Sequence, residues 1–129
     1  MLGQLDSTDG VVIADFEAGL GTVIRMGDRP VDVVVLVTEP TTKSLEVASR
    51  AGHLVRERNL GRLVVTANRV RDDEDVARVR AAFPGVDVVF VPDEPAIVAA
   101  ERQGSAPLDA APDSPGVRAL VALADSLND

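Results

Sequence analysis

The sequence predicts an α/β domain built on a mainly parallel sheet, and three observations lead to this prediction. Short apolar runs rich in Val, Leu and Ile recur along the chain, which is typical of parallel strands covered on both faces. Stretches with helical spacing of apolar residues separate these runs, as in β-α-β units with right-handed crossovers. The length of 129 residues fits one domain with a real core.

Four segments are predicted strands. Three of them are nearly continuous apolar runs, as expected for buried strands. The fourth has one polar position and ends at Pro92, which cannot donate a hydrogen bond to a neighbouring strand, so we expect it near an edge of the sheet. The predicted strands cover residues 11–14, 31–37, 63–67 and 86–91.

The first predicted helix covers residues 41–58. Its apolar residues recur every three or four positions and therefore share one face. Thr41 or Thr42 can cap the free N–H groups of its first turn, directly after Pro40. The apolar face consists of Leu45, Ala48, Gly52 and Val55.

Three further helices complete the predicted domain. The acidic run 72–75 begins a helix over 73–83, where the helix dipole favours negative charge; it lacks the alternating ligand spacing of a calcium loop. Pro95 suits the first turn of a helix that stops at Gly104. After a surface connection, the last helix covers 115–127. Residues 1–129 are thus predicted to form a single α/β domain.

Composition excludes several classes of function. A net charge of −8 makes nucleic acids and anionic membranes poor partners, because their binders present clustered Lys and Arg. No apolar run approaches the roughly 20 residues of a membrane span, and no signal sequence is apparent. The chain has no cysteine, so thiolate metal sites and disulfides are excluded. We expect a cytoplasmic protein.

Two polar residues directly follow predicted strands. Ligands bind at the carboxyl ends of parallel strands, so Asp15 and Asn68 are candidate functional residues. The alternative for Asp15 is a turn cap through its side chain, and the alternative for Asn68 is an Asx turn. The single histidine, His53, lies beside two arginines on the polar face of its helix and is expected to be solvated rather than to bind a metal.

Four motifs in order resemble a known family. They are D-x-E-A-G-L at 15–20, VVLVTEPTTKSLEVASR at 34–50, VVTANRV at 64–70 and VFVPDEPAIVAAERQGSAPLD at 89–109. Together they resemble the MinD/ParA-type P-loop ATPases of the SIMIBI class (the CobQ/CobB/MinD/ParA nucleotide-binding domain). They are closest to the CooC-like branch, which helps insert nickel into carbon monoxide dehydrogenase. The resemblance covers about residues 10–127 and implies an incomplete P-loop NTPase-like, three-layer fold.

The resemblance implies a role for six residues of this chain. Asp15 would hold Mg²⁺ through water, since Mg²⁺ keeps most of its waters. Gly19 would let the loop backbone approach the γ-phosphate. Asn68 would contact the adenine edge, and the aliphatic stem of Arg69 can cover the base. The wall of the base pocket would be completed by Pro92 and Asp93. The implied cofactor is ATP or ADP with Mg²⁺.

The phosphate-binding loop of the family is absent from the sequence. No G-x-x-x-x-G-K-[ST] motif occurs, and the only lysine, Lys43, lies near a helix start. Phosphate transfer in this class depends on that loop's amides, lysine and hydroxyl. The chain therefore matches the C-terminal portion of a family member. We expect no hydrolysis by the chain alone, and no catalytic residue is assigned.

Three functional hypotheses follow. The chain is the C-terminal part of a CooC/MinD-like ATPase, a pseudo-ATPase interaction module without nucleotide binding, or a small-molecule binder that retains only the base pocket. A phosphoacceptor receiver domain is rejected because Lys43 is misplaced and no fifth strand is evident. In the family sheet, the missing strand would leave apolar edges. We therefore expect a homodimer or a complementary N-terminal half as partner, and a metalloenzyme as client.

Overall fold

A three-stranded parallel sheet with helices on both faces forms the centre of the protein. The computed structural model describes residues 10–16, 21, 25 and 30–128. The strand order is β1 (Val33–Thr38), β2 (Arg62–Val70), β3 (Asp87–Pro92). The helices are α1 (Thr42–Glu57), α2 (Asp73–Ala82), α3 (Pro95–Arg102), α4 (Pro107–Ala110) and α5 (Pro115–Ser126). The predicted α/β class with a parallel sheet is confirmed, and so is the position of β3 at an edge.

The prediction of a strand over residues 11–14 is wrong. Residues 11–16 lie outside every helix and strand, and Val11 and Ile13 are 78% and 85% exposed. A strand exists only where a neighbour takes up its N–H and C=O groups. Among the described residues β1 pairs with β2 alone, so its outer edge is not used by this segment. An apolar run by itself does not supply the partner that a strand needs.

The main core lies between one face of the sheet and helices α1 and α2. Helix α1 begins as predicted, because the Thr41 hydroxyl accepts a hydrogen bond from the Ser44 N–H at 3.3 Å. Its buried residues include the whole predicted face. At Gly52 the helix approaches the sheet closely: a Cβ there would lie 3.3 Å from Leu63 Cδ2 and 3.5 Å from Leu36 Cδ2. The absence of a side chain at Gly52 therefore sets the depth at which α1 packs.

Helix α2 is fixed by the acidic run at its start. The Asp72 carboxylate accepts a hydrogen bond from the Asp75 N–H at 2.9 Å. The buried Asp75 carboxylate in turn accepts one from the Arg71 N–H at 2.9 Å. These bonds satisfy N–H groups that have no partner inside a helix. The predicted capping role of the run is confirmed.

The second face of the sheet is covered only in part. Helix α5 packs against β3 and α3, and its Val117 is buried. The Glu94 carboxylate joins the two helices, since it accepts hydrogen bonds from Ala96 N–H at 3.4 Å and Gly116 N–H at 2.9 Å. On β1, by contrast, Val37 is 61% exposed. This face of the sheet is therefore covered by helices at β3 and exposed to solvent at β1.

None of the helices in the described part of the chain is both long enough and apolar enough to cross a membrane.

Candidate functional site

The three strands end at one edge of the sheet. Because the strands are parallel, their carboxyl ends lie together, and this is where ligands bind in open α/β sheets. Glu39 directly follows β1. Asn68 and Arg69 are among the last three residues of β2. β3 ends at Pro92, and Asp93 directly follows it. Four residues predicted from the sequence are thus placed at the carboxyl edge.

A β-bulge shapes this edge. The pairing of β2 with β3 is regular up to Ala67 opposite Phe90 and then shifts, so that Val70 lies opposite Pro92. Two residues of β2 therefore stand against one residue of β3, as in a bulge. Arg69 takes up the change in the left-handed region, with φ of 60°. The bulge is closed by a hydrogen bond from Asp93 N–H to the Val70 carbonyl at 3.0 Å.

Arg69 connects the ends of the outer strands across β2. Its Nη1 lies 3.5 Å from Glu39 Oε1, and its Nε lies 3.5 Å from Asp93 Oδ1. We call Glu39, Arg69 and Asp93 the edge triad. All three side chains are largely exposed, so each pair contributes at most about 1 kcal/mol to stability. The triad orients the Arg69 side chain rather than holding the fold together.

Glu39 was missed by the sequence reasoning. The sequence did contain a signal for Glu39. Glu39 directly follows β1 and Asp93 directly follows β3, so the segments VTEP and VPDEP each place an acidic residue after an apolar strand. A hydroxyl pair fixes this loop: Thr38 Oγ1 and Ser44 Oγ are 3.1 Å apart, and the Glu39 N–H donates to Ser44 Oγ at 3.0 Å. The Glu39 backbone is therefore anchored to the first turn of α1.

Asn68 has a side chain that is available for a ligand. It is half-buried in the bulge at the end of the central strand, and its amide makes no hydrogen bond within the described part of the chain. The Asx turn, its alternative role, is not formed. A carboxamide both donates and accepts, so Asn68 can bind the edge of a heterocycle that carries one donor and one acceptor.

Of the two residues predicted for the phosphate side, Asp15 and Gly19, the structure describes only Asp15. Asp15 lies in the exposed segment 11–16 and makes no hydrogen bond or ion pair with a described residue; its predicted place after a strand is wrong because that segment joins no sheet. Gly19 lies outside the described residues. Within residues 10–16, 21, 25 and 30–128, no three His, Asp or Glu side chains converge on one point. The described residues therefore offer no ready-made cluster of metal ligands and could hold Mg²⁺ only together with further ligands such as water or phosphate.

A groove lies at the opposite edge of the sheet. It has a volume of about 670 Å³ and runs between α1 and the connection from α2 to β3. Leu63 and Phe83 form part of its floor, and His53 and Arg56 stand on its rim. The exposed His53 lies 3.5 Å from Glu57 of the same helix, in agreement with the expectation that it is solvated.

Comparison with known proteins shows similarity to an ATP-binding protein and to an accessory protein of carbon monoxide dehydrogenase. No protein-family model matches the chain. It is 35% identical over 99 residues to an uncharacterized ATP-binding protein of Methanocaldococcus jannaschii, a match that covers 74% of this chain and 38% of that protein. It is 29% identical over 102 residues to the carbon monoxide dehydrogenase accessory protein CooC of Rhodospirillum rubrum, with 78% and 39% covered.

These matches extend over about two fifths of the relatives' length. They support, at a coarse level, the relationship to nucleotide-binding ATPases that the motifs indicate. The three-stranded parallel sheet with flanking helices is consistent with a P-loop NTPase-like fold.

Proposed function

We propose that this chain provides the base-binding part of an ATP site and corresponds to the C-terminal portion of a CooC/MinD/ParA-type ATPase. The observation that carries the proposal is the free carboxamide of Asn68, held by a bulge at the carboxyl end of the central strand. An adenine edge presents one donor and one acceptor, and a carboxamide matches both. The similarity to an ATP-binding protein supports this choice of base.

The neighbours of Asn68 suit a planar base. Pro92 is half-buried at the end of β3 and offers a rigid apolar wall. The aliphatic part of Arg69 can cover the base while its guanidinium stays with Glu39 and Asp93. The edge triad thus keeps the Arg69 stem in place without requiring its charge for the ligand.

The same edge is unsuited to a triphosphate on its own. Two of the three charges of the edge triad are carboxylates, and no lysine lies at the ends of β2 or β3. We assign the phosphates and Mg²⁺ to a complementary N-terminal half or a second subunit, with Asp15 as the residue of this chain that would contribute to the Mg²⁺ shell. Hydrolysis, nickel delivery and a metalloenzyme client would then be properties of the complete assembly.

The test is a titration of the purified chain with adenosine, ADP and ATP, each with and without Mg²⁺, followed by NMR or calorimetry. We expect weak binding of all three, with little dependence on Mg²⁺ or on the number of phosphates. Asn68→Ala should weaken binding about tenfold, the equivalent of one or two hydrogen bonds. Asn128→Ala, at an exposed position near the end of the chain, is the matched control.

Two results would reject this assignment. Equal affinity of the Asn68→Ala variant and the wild-type chain would remove Asn68 from the site. Failure of all three ligands to bind, even when a complementary half is supplied, would favour the alternative of an interaction module that does not bind nucleotide. The observation in favour of that alternative is that the outer edge of β1 pairs with no strand among the described residues.

A further inference from the structure

Two apolar surfaces of this chain have no partner among the described residues. The first is the segment 11–16, VVIADF, in which every residue is exposed. Its four bulky apolar side chains point to both sides of what would be a strand, since neighbouring residues of a strand face opposite ways. A segment with this pattern is suited to form a strand that is buried on both faces.

The second surface is the outer edge of β1. This strand contains no proline and no charged residue, and two of its valines, Val35 and Val37, are exposed. Proteins usually protect an edge strand with charges, proline or a covering element. Nothing of this kind protects β1 in the described part of the chain, so its N–H and C=O groups are available for a further strand.

We infer that residues 11–16 of one copy add to the outer edge of β1 in a second copy, and that the exchange is reciprocal. The two segments match in length, with six residues each, and both are apolar on both faces. Each copy carries one donor segment and one acceptor edge, so a two-fold dimer uses all of them and leaves no open end. The strand exchange does not require that the chain bind a nucleotide.

The added strand runs parallel to β1. In the antiparallel direction Asp15 would fall beside the start of β1, where Val34 packs against the core, and its carboxylate would be buried without a partner at a considerable cost. In the parallel direction Asp15 reaches the carboxyl end, where Glu39 and Arg69 are exposed to water. The second copy therefore contributes a carboxylate to the candidate site.

The covalent connection is long enough for the exchange. Sixteen residues separate Phe16 from Val33, and Gly21 and Arg25 among them are helical. Even with half of the connection helical, it reaches roughly 40 Å. A six-residue strand is only about 20 Å long. The connection can therefore leave the second copy at the carboxyl end of its β1 and return to the start of β1 in its own copy.

The absence of cysteine from the chain allows a clean test. We would prepare Ile13→Cys and Val35→Cys separately, mix them, and add a short bis-maleimide cross-linker. We expect covalent dimers in the mixture, and much less dimer when Val35→Cys is replaced by Leu108→Cys, an exposed apolar position on α4. Light scattering of the wild-type chain should give twice the monomer mass of 13.5 kDa.

Further variants distinguish this arrangement from other partners of the edge. Ile13→Asp and, independently, Val37→Lys should shift the chain to monomer while circular dichroism shows the helices intact. Cross-links confined to single chains of the Ile13→Cys, Val35→Cys double variant would place the segment on its own β1 and overturn the exchange. A wild-type chain that is monomeric at about 100 µM, or that associates only with an added N-terminal half, would overturn it as well.

Discussion

Gly116 is the position at which the structure makes the strongest prediction for stability. This residue lies in the first turn of α5, and an ideal Cβ there would be 2.5 Å from Glu94 Cβ and 2.8 Å from Glu94 Cγ. These atoms are the near end of the Glu94 side chain, so rotation of that side chain does not remove the clash. In Gly116→Ala, helix α5 must therefore move away from α3 and the end of β3.

The expected change in the free energy of unfolding follows from two destabilising contributions and one stabilising contribution. Overpacking of this kind costs about 1–3 kcal/mol. The displacement also breaks the hydrogen bond from Gly116 N–H to the Glu94 carboxylate, now 2.9 Å long, and bonds to charged groups contribute about 1.5–3 kcal/mol. The better helix propensity of alanine returns roughly 1 kcal/mol. We expect a net loss of about 2–4 kcal/mol in the free energy of unfolding.

The assay is urea unfolding followed by circular dichroism, with Gly104→Ala as the matched control. Gly104 has φ of +71° and nothing within 4 Å of its ideal Cβ, so alanine there meets only backbone strain of about 1–2 kcal/mol. The reasoning predicts that Gly116→Ala is the less stable variant. If Gly116→Ala is as stable as the wild-type protein, or more stable than Gly104→Ala, the close contact between α5 and Glu94 does not exist.

Three other substitutions test particular contacts. Thr66→Val removes a buried hydroxyl that has no hydrogen-bond partner among the described residues; we expect unchanged or slightly higher stability by thermal unfolding, whereas a loss above about 1 kcal/mol would reveal a missing partner. Asp75→Ala leaves the Arg71 N–H without its acceptor and should lower the free energy of unfolding by about 1–3 kcal/mol in urea; an unchanged midpoint would contradict the capping role. Glu39→Gln weakens the edge triad and should change the free energy of unfolding by less than about 1 kcal/mol. Because it removes one carboxylate from an edge unsuited to phosphates, the affinity for ATP should rise slightly relative to that for adenosine in parallel titrations, and a fall in that ratio would contradict the inference that these carboxylates disfavour phosphates.

The helices were predictable because their signals are local. Helix α1 was predicted over 41–58 and spans Thr42–Glu57, with Thr41 as its cap. Its periodic apolar residues and its cap lie close together in sequence, so no distant segment is needed to establish them. The first predicted strand failed for the opposite reason. Residues 11–14 have the composition of a strand, but whether they form one depends on a neighbour elsewhere.

The candidate site was predictable only in outline. Asn68, Pro92 and Asp93 could be assigned to one edge because parallel strands place their carboxyl ends together. The bulge in β2 could not be predicted, since one extra residue in a strand leaves no pattern in the apolar sequence. The bulge places Arg69 between Glu39 and Asp93, and these contacts join Arg69 to residues 30 and 24 positions away in the sequence.

The sequence by itself thus determined the class of fold, the four longer helices and the strands that form the sheet, because these follow from the periodicity and capping of neighbouring residues; the short helix α4 was not predicted. Only the tertiary structure decided which strand edges have partners, how the edge triad forms and that the Asn68 carboxamide has no partner in the described chain. Those features depend on register and on contacts between distant segments, which a local pattern of residues does not encode.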